Sequence, residues 1–268
     1  MRTHQTTKAE IHQRMELCGA QGIPYKYKWH GNSIMLIVGG VCYYCYTATK
    51  NENGVQVPNK LPVKEIGFIG KVKKHINAEK VYNKVKPNYR DKDKIKYIDW
   101  NRSLKVGEQF KKCHCVDINT AYWDSAYNLG LINKTLYIDG LTKDKRIRLA
   151  SLGSFAKVVK TIAFDGVKEK MLPNVEPKYP HIFFNCANDI YKTMDACKTA
   201  IGNDFLFYWT DCIYVKTAAA RDKVHRILKQ HKFKGKNETV AQVRFVKGII
   251  KVEGKKGQNK DYGLNLDE

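Results

Sequence analysis

Residues 205–215 read Phe-Leu-Phe-Tyr-Trp-Thr-Asp-Cys-Ile-Tyr-Val, two apolar runs interrupted only by Thr210 and Asp211. Aromatic and branched residues on both sides of a two-residue polar break predict a tight apolar hairpin. Asp is depleted in strands, and a buried carboxylate without a partner is costly. Asp211 must therefore stand at the turn with something to bind it. A second apolar strand ends the same way, in Cys115-Val116-Asp117-Ile118-Asn119-Thr120-Ala121-Tyr122.

The rest of the chain supplies helices to cover these strands. Thr7-x-x-Glu10 is a capping-box signature, and Ile11, Met15 and Cys18 follow at helical spacing until Gly19, Gly22 and Pro24. Strands are predicted at Tyr25–Trp29, Ser33–Val38 and Val41–Thr49, with turns at Gly31-Asn32, Gly39-Gly40 and Asn53-Gly54. Helices are predicted over Thr120–Leu131, Lys143–Ile162, Pro180–Ile201 and Ala218–Gln230, with a strand at Val240–Val252. Strands covered by helices on one side define an α+β class. The expected division is a small mixed N-terminal region, 1–112, and a larger domain, 113–268.

The chain carries 48 Lys and Arg against 26 Asp and Glu, a net charge of +22. Solubility needs only about 2–8 charges on a small domain. The excess points to a polyanion, because neutralising phosphates releases counterions. Lys84, Lys86, Arg90, Lys92, Lys94, Lys96, Lys105, Lys111 and Lys112 crowd one segment, with Tyr89, Tyr97 and Trp100 among them. That mixture suits a groove that tracks phosphates and stacks bases; it equally suits a solvated basic linker. No run approaches the eighteen or so apolar residues of a membrane span, no basic amphipathic helix stands out, and the N-terminus has no apolar leader. A cytoplasmic protein without a membrane partner is expected. Cys42-Tyr-Tyr-Cys45 and Cys113-His-Cys115 lack the paired-knuckle spacing of a zinc ribbon and lie in strand-like runs. No structural zinc is expected.

Asp117 and Asp211, on adjacent strands, would repel each other unless cations lay between them. A pair of Mg²⁺ ions resolves that repulsion and makes a phosphoryl-transfer site.

At this point the chain resembles the family B DNA polymerases, most closely the small phage-type members. Their motif A, Asp-x-x-Ser-Leu-Tyr-Pro, compares with Asp117-Ile118-Asn119-Thr120-Ala121-Tyr122-Trp123. Their motif C, Tyr-x-Asp-Thr-Asp-Ser, compares with Phe207-Tyr208-Trp209-Thr210-Asp211-Cys212. Their motif B, Lys-x-x-x-Asn-Ser-x-Tyr-Gly, compares with the run from Lys145 to Gly153, and a Lys-x-Tyr with Lys260-Asp261-Tyr262. The order along the chain is the family's, and the resemblance spans about residues 113–262.

The resemblance implies a polymerase palm, an antiparallel sheet backed by helices, with minimal fingers (126–165) and a vestigial thumb (240–268). It implies a template-directed DNA polymerase using two Mg²⁺ or Mn²⁺ ions, dNTPs and a DNA primer-template. Asp117 and Asp211 would ligate the metals, with the Ile118 carbonyl as a further ligand. Thr120 and Ala121 would offer backbone N–H groups to the triphosphate at a helix start, where anions bind readily. Tyr122 would stack beneath the sugar and exclude a 2′-hydroxyl. Lys145 and Arg148, three apart on one helix face, would reach the triphosphate. Lys260 and Tyr262 would hold the primer. The chain departs from the pattern at Trp209, which replaces the first Asp of motif C, at Trp123 and Asp124, and at Leu149, Ala150 and Leu152 in motif B. No Asp-x-Glu exonuclease motif precedes the palm. The alternatives are a degenerate polymerase kept as a nucleic-acid-binding accessory, and a related nucleotidyl transferase of primase-like or template-independent type.

Overall fold

The computed structural model describes residues 2–30, 33–46, 48–50, 56–58, 65–87, 98–254 and 259–263. The turns expected at Gly31-Asn32 and Asn53-Gly54, and Tyr89, Arg90, Lys92, Lys94, Lys96 and Tyr97 of the basic segment, lie outside the described residues.

In chain order the elements begin β1 (Arg2–Gln5), α1 (Lys8–Ala20), β2 (Tyr25–His30), β3 (Ser33–Val38), β4 (Val41–Tyr46), β5 (Ala48–Lys50) and β6 (Gln56–Pro58). There follow α2 (Ile66–Ala78), α3 (Val81–Lys84), β7 (Ile98–Trp100), β8 (Gln109–Lys111), β9 (His114–Ile118), α4 (Ala121–Asn128), α5 (Lys134–Leu141) and α6 (Lys145–Gly153). The remainder is β10 (Val159–Phe164), β11 (Glu169–Val175), α7 (His181–Ile201), β12 (Phe205–Trp209), β13 (Cys212–Val215), α8 (Ala218–Gln230), β14 (Gly235–Val246), β15 (Ile249–Gly254) and β16 (Asn259–Gly263). The class is α+β, with a curled antiparallel sheet backed by helices. No helix of the described residues is long and apolar enough to cross a membrane.

The chain forms two compact units, residues 1–82 with 138–183, and residues 83–137 with 184–268. The boundary expected at residue 112 differs from this division.

In the first unit the strand order is β1-β4-β3-β2-β10-β11. The capping box starts α1 as expected: the Thr7 hydroxyl accepts from the Glu10 N–H while the Glu10 carboxylate accepts from the Thr7 N–H. Ile11 and Cys18 of α1 meet Tyr25, Leu36, Cys45 and Phe164 in the core. The single helix expected over Lys143–Ile162 is corrected. Asp144 caps α6 by accepting from the Arg146 N–H at 2.8 Å, the helix ends at Gly153, and residues 159–164 form a strand. Val159, Thr161 and Ile162 are β-branched; Thr161 and Ile162 pair with Lys28 and Tyr27 of β2, over a hundred residues earlier, and Val159 pairs with Val175 of β11.

In the second unit the order is β16-β15-β14-β9-β13-β12-β7, with β8 on β14. Its centre runs β9, helix, β12, β13, α8, β14, and the four strands lie in the order β14-β9-β13-β12, all antiparallel. This is the split β-α-β-β-α-β arrangement. The expected hairpin forms β12 and β13, and α8 spans the expected residues. The expected single strand over Val240–Val252 is corrected to a hairpin of β14 and β15, turning at Lys247-Gly248 with Gly248 at φ 72°. Only a residue tolerant of positive φ fits that corner.

Alternation along β9 splits the unit's core in two. Val116 and Ile118 face the helices, where Ala187, Ile190, Met194 and Cys197 of α7 and Ala220, Val224 and Leu228 of α8 pack. Cys115 faces the other side, with Cys212, Tyr214, Leu206 and Phe207. The sheet curls so that Val243, Phe245, Ile250, Val252 and Tyr262 close over this face. Cys42, Cys45 and Cys115 lie on strands with Cys113 just before β9, and all eight cysteines are buried free thiols.

Candidate active site

Sheet register brings the two sequence-predicted aspartates together. β13 pairs antiparallel with β9 so that Cys212 faces Asp117, and Asp211 is the residue before Cys212. Facing residues on paired strands stand about 4.5–5.5 Å apart at Cα. The Ile118 N–H donates to the Asp211 carbonyl at 2.8 Å, fastening the hairpin turn to the end of β9. Asp117 and Asp211 are both partly exposed. On its other side Asp117 faces Lys236 of β14. Lys236 has no counterpart in the motifs, and its place follows only from pairing. Its side chain is 67% exposed and lies 3.8 Å from Glu238.

A threonine in the left-handed backbone region lies near each aspartate: Thr210, at φ 50°, directly precedes Asp211, and Thr120, at φ 57°, follows Asp117 by three residues. For a β-branched residue this conformation is a true outlier, held only where the surroundings over-determine it. Hydrogen bonds supply that restraint. The Thr210 hydroxyl donates to Asp211 Oδ1 at 2.8 Å. The Thr120 hydroxyl donates to Asp124 Oδ1 at 2.8 Å, and the Tyr137 hydroxyl donates to the same oxygen at 2.7 Å. Asp124, which the motif comparison registers only as a departure, is thus a buried brace for the turn after Asp117. Because the Thr120 side chain points to Asp124, no side-chain N-cap bond closes the start of α4. The first N–H groups of that helix, those of the Thr120–Ala121 corner, are where an anion is favoured.

The remaining predicted residues are distributed unevenly. The Tyr122 ring is partly buried against the helix-side core. Lys145 is exposed at the start of α6, and Lys145 and Arg148 belong to the first unit while the aspartates belong to the second. The Arg148 guanidinium donates to the carbonyls of Lys143 (2.6 Å) and Gly140 (3.2 Å), which close the turn before α6. Lys260 is exposed on β16. Tyr262 is buried, and its hydroxyl lies 3.1 Å from the Tyr214 hydroxyl. Among the described residues no group of three or more His, Cys, Asp or Glu side chains clusters in metal-binding geometry.

A second polar feature of this unit lies beneath α4. Asp189 of α7 is raised above the usual carboxylate range because burial penalises its charge; a hydrogen bond from the Ser125 hydroxyl (2.7 Å) and the charges of His231 and Lys192 offset this in part. A carboxyl whose folded pKa is raised favours folding most at low pH, and that contribution is lost as pH rises through the folded value. Asp189→Asn keeps an acceptor for Ser125 and removes the charge. It should raise Tm at pH 7 and flatten the fall in Tm with pH above the ordinary aspartate range, as read by thermal melts across pH.

No family model matches this sequence, and no curated protein matches it.

Proposed function

We propose that the second unit is the palm of a compact template-directed DNA polymerase, with Asp117 and Asp211 as the carboxylates of a two-metal nucleotidyl-transfer site. The observation that carries this reading is the β9–β13 register, which leaves two carboxylates one residue out of line at the end of adjacent strands. Left unneutralised, such a pair would repel; oxygen donors of this kind suit Mg²⁺ or Mn²⁺, whose remaining ligands come from water and substrate phosphates. Bound there, the ions would activate the attacking hydroxyl and stabilise charge on the transferring phosphate. The split β-α-β-β-α-β order and the two strained threonines near the aspartates support the same reading.

In this reading the corner at Thr120 and Ala121 receives the triphosphate, and Lys260 meets the primer backbone. Tyr262 supports the site from within the core, since its hydroxyl is engaged by Tyr214. DNA and dNTPs are the partners, which also accounts for the charge of +22. The test is extension of a labelled primer on a template with Mg²⁺ and all four dNTPs.

A second reading, a nucleic-acid-binding accessory derived from a polymerase, is favoured by one observation: Arg148, expected at the triphosphate, is held by backbone carbonyls of its own turn. A folded, DNA-binding wild type that extends no primer would establish that reading instead.

Tyr122 separates a deoxynucleotide-selective enzyme from one indifferent to the sugar. Tyr122→Ala should admit ribonucleotides at least about tenfold better relative to dNTPs, since rejecting one hydroxyl is worth roughly 10²-fold in a fitted pocket. Competition between rNTP and dNTP in single-nucleotide extension measures this. A wild type that already uses both sugars equally removes the gate assignment.

A further inference from the structure

The motif comparison treats Trp209 as the loss of an aspartate. Its position gives it a different value. β12 pairs with β13 so that Trp209 faces Cys212, which itself faces Asp117, which faces Lys236. Paired residues share a sheet face, so an indole, a carboxylate and an ammonium stand in one row across four strands. Trp209 and Asp117 are two strands apart, about 10 Å, and Lys236 is one strand further, about 14 Å from Trp209; the long lysine side chain can bridge the remainder to the phosphate of a nucleotide whose base lies on the indole.

The indole is supported from below. Trp209 rests against Tyr262 at 5.0 Å between ring centroids. Tyr262 packs on Phe207 at 5.4 Å, and Phe207 stacks on Tyr214 at 4.2 Å and 7°. The Tyr214 and Tyr262 hydroxyls meet at 3.1 Å. Phe207, Tyr214 and Tyr262 are buried, whereas Trp209 stays partly exposed at the rim of this cluster. A rigid aromatic core ending in one accessible indole, in one row with a carboxylate and an exposed lysine whose ammonium lies 3.8 Å from Glu238, is a platform for a planar ring that carries phosphate.

We infer that Trp209 is the stacking surface for a nucleobase at this site, and that Lys236 contacts the phosphate of the same nucleotide. The inference rests on the polymerase reading for the site's ligand, and its failure is separable from the failure of that reading. The base reaches the platform either from a DNA strand or from a free dNTP.

The test is tryptophan fluorescence titrated with oligo(dT) in one arm and dTTP in the other, with Ca²⁺ replacing Mg²⁺ to prevent turnover. Wild type, Trp209→Phe, Trp209→Leu and Lys236→Ala are compared, each checked for folding by circular dichroism. Wild-type emission is expected to quench, and Trp209→Phe to lose that quench while keeping most of the affinity. Trp209→Leu should bind about tenfold or more weakly, the lower range of what base stacking contributes. Lys236→Ala should reduce the oligo(dT) salt slope by about 0.7 log units per log unit, one phosphate contact. The arm that shows these effects assigns the source of the base.

An unchanged quench in Trp209→Phe, or wild-type affinity in folded Trp209→Leu, overturns the inference even if the wild type extends primers. Absence of binding by wild type in both arms overturns it as well. If Trp209→Leu does not fold, the quench comparison with Trp209→Phe decides alone. Trp209-dependent binding by a wild type that extends no primer keeps the platform and removes the catalytic reading.

Discussion

On the proposed function, Asp117→Ala and Asp211→Ala are each expected to abolish template-dependent primer extension while leaving the protein folded and bound to DNA. Either change would remove a charged oxygen donor from the proposed site, whose chemistry would depend on cations held between two carboxylates. Such charge stabilisation is worth several kcal/mol, and each 1.36 kcal/mol is tenfold in rate. The expected loss is about 10³-fold or more in single-turnover extension. The double variant should be scarcely worse than either single one, because residues acting as a unit are non-additive. DNA affinity should hold or rise slightly, since a negative charge is removed from beneath a polyanion. If both variants extend primers within a few-fold of wild type, the metal site lies elsewhere and the polymerase reading of these aspartates is lost.

The largest effect on stability is expected from Trp123→Ala. Trp123 is 2% exposed, and its indole N–H donates to the Tyr137 carbonyl at 3.0 Å. The change removes a large buried ring and its hydrogen bond to that carbonyl. Phe or Trp to Ala in a core costs about 3–5 kcal/mol, a large part of the 5–15 kcal/mol typical of a domain. Urea unfolding should show a lower midpoint with a similar slope. Trp123→Phe should restore most of the loss, the remainder being the hydrogen bond. The same residue stands where the motif comparison has proline, and the structure gives the reason: here it anchors α4, the helix that follows Asp117, instead of ending a turn. A midpoint within experimental error of wild type for Trp123→Ala would show that α4 is not held this way.

What could be read from the residues alone was local in origin. The hairpin at 205–215, the capping box before α1, the long helix ending at Ile201 and the helix at Ala218–Gln230 are each fixed by neighbours within a few positions. The cost of burying a carboxylate in an apolar strand put Asp117 and Asp211 at strand ends; that the two belong together came from the resemblance to motifs A and C. The failures have long-range causes. Val159–Phe164 continues a helical-looking stretch and becomes a strand only because β2 needs a partner there. Gly235–Thr239 is polar and starts with glycine, so nothing marks it as a strand until β9 offers an edge. Glycine is required at that point by packing: a Cβ on Gly235 would come within 2.7–2.8 Å of Val116, His225 and Leu228. Lys236, the cation nearest in register to Asp117, was invisible for the same reason. Arg148 stands at the expected spacing from Lys145, and pairing rules on a helix face could not show that its guanidinium donates to the carbonyls of Lys143 and Gly140.

The hydrogen bond from the Ile118 N–H to the Asp211 carbonyl has a consequence for how this protein fails. Side chains alternate along a strand, so sliding β13 by one residue against β9 would turn every side chain of β13 to the wrong face. Cys212 and Tyr214 would be driven toward the helices, and Ile213 and Val215 into the aromatic cluster. The carboxylates would part in the same movement. There is no gradual misalignment between these arrangements, only the correct pairing or another one. Damage to this sheet should therefore divide a preparation into fully competent molecules and inert ones, with the average activity counting heads and not degrees.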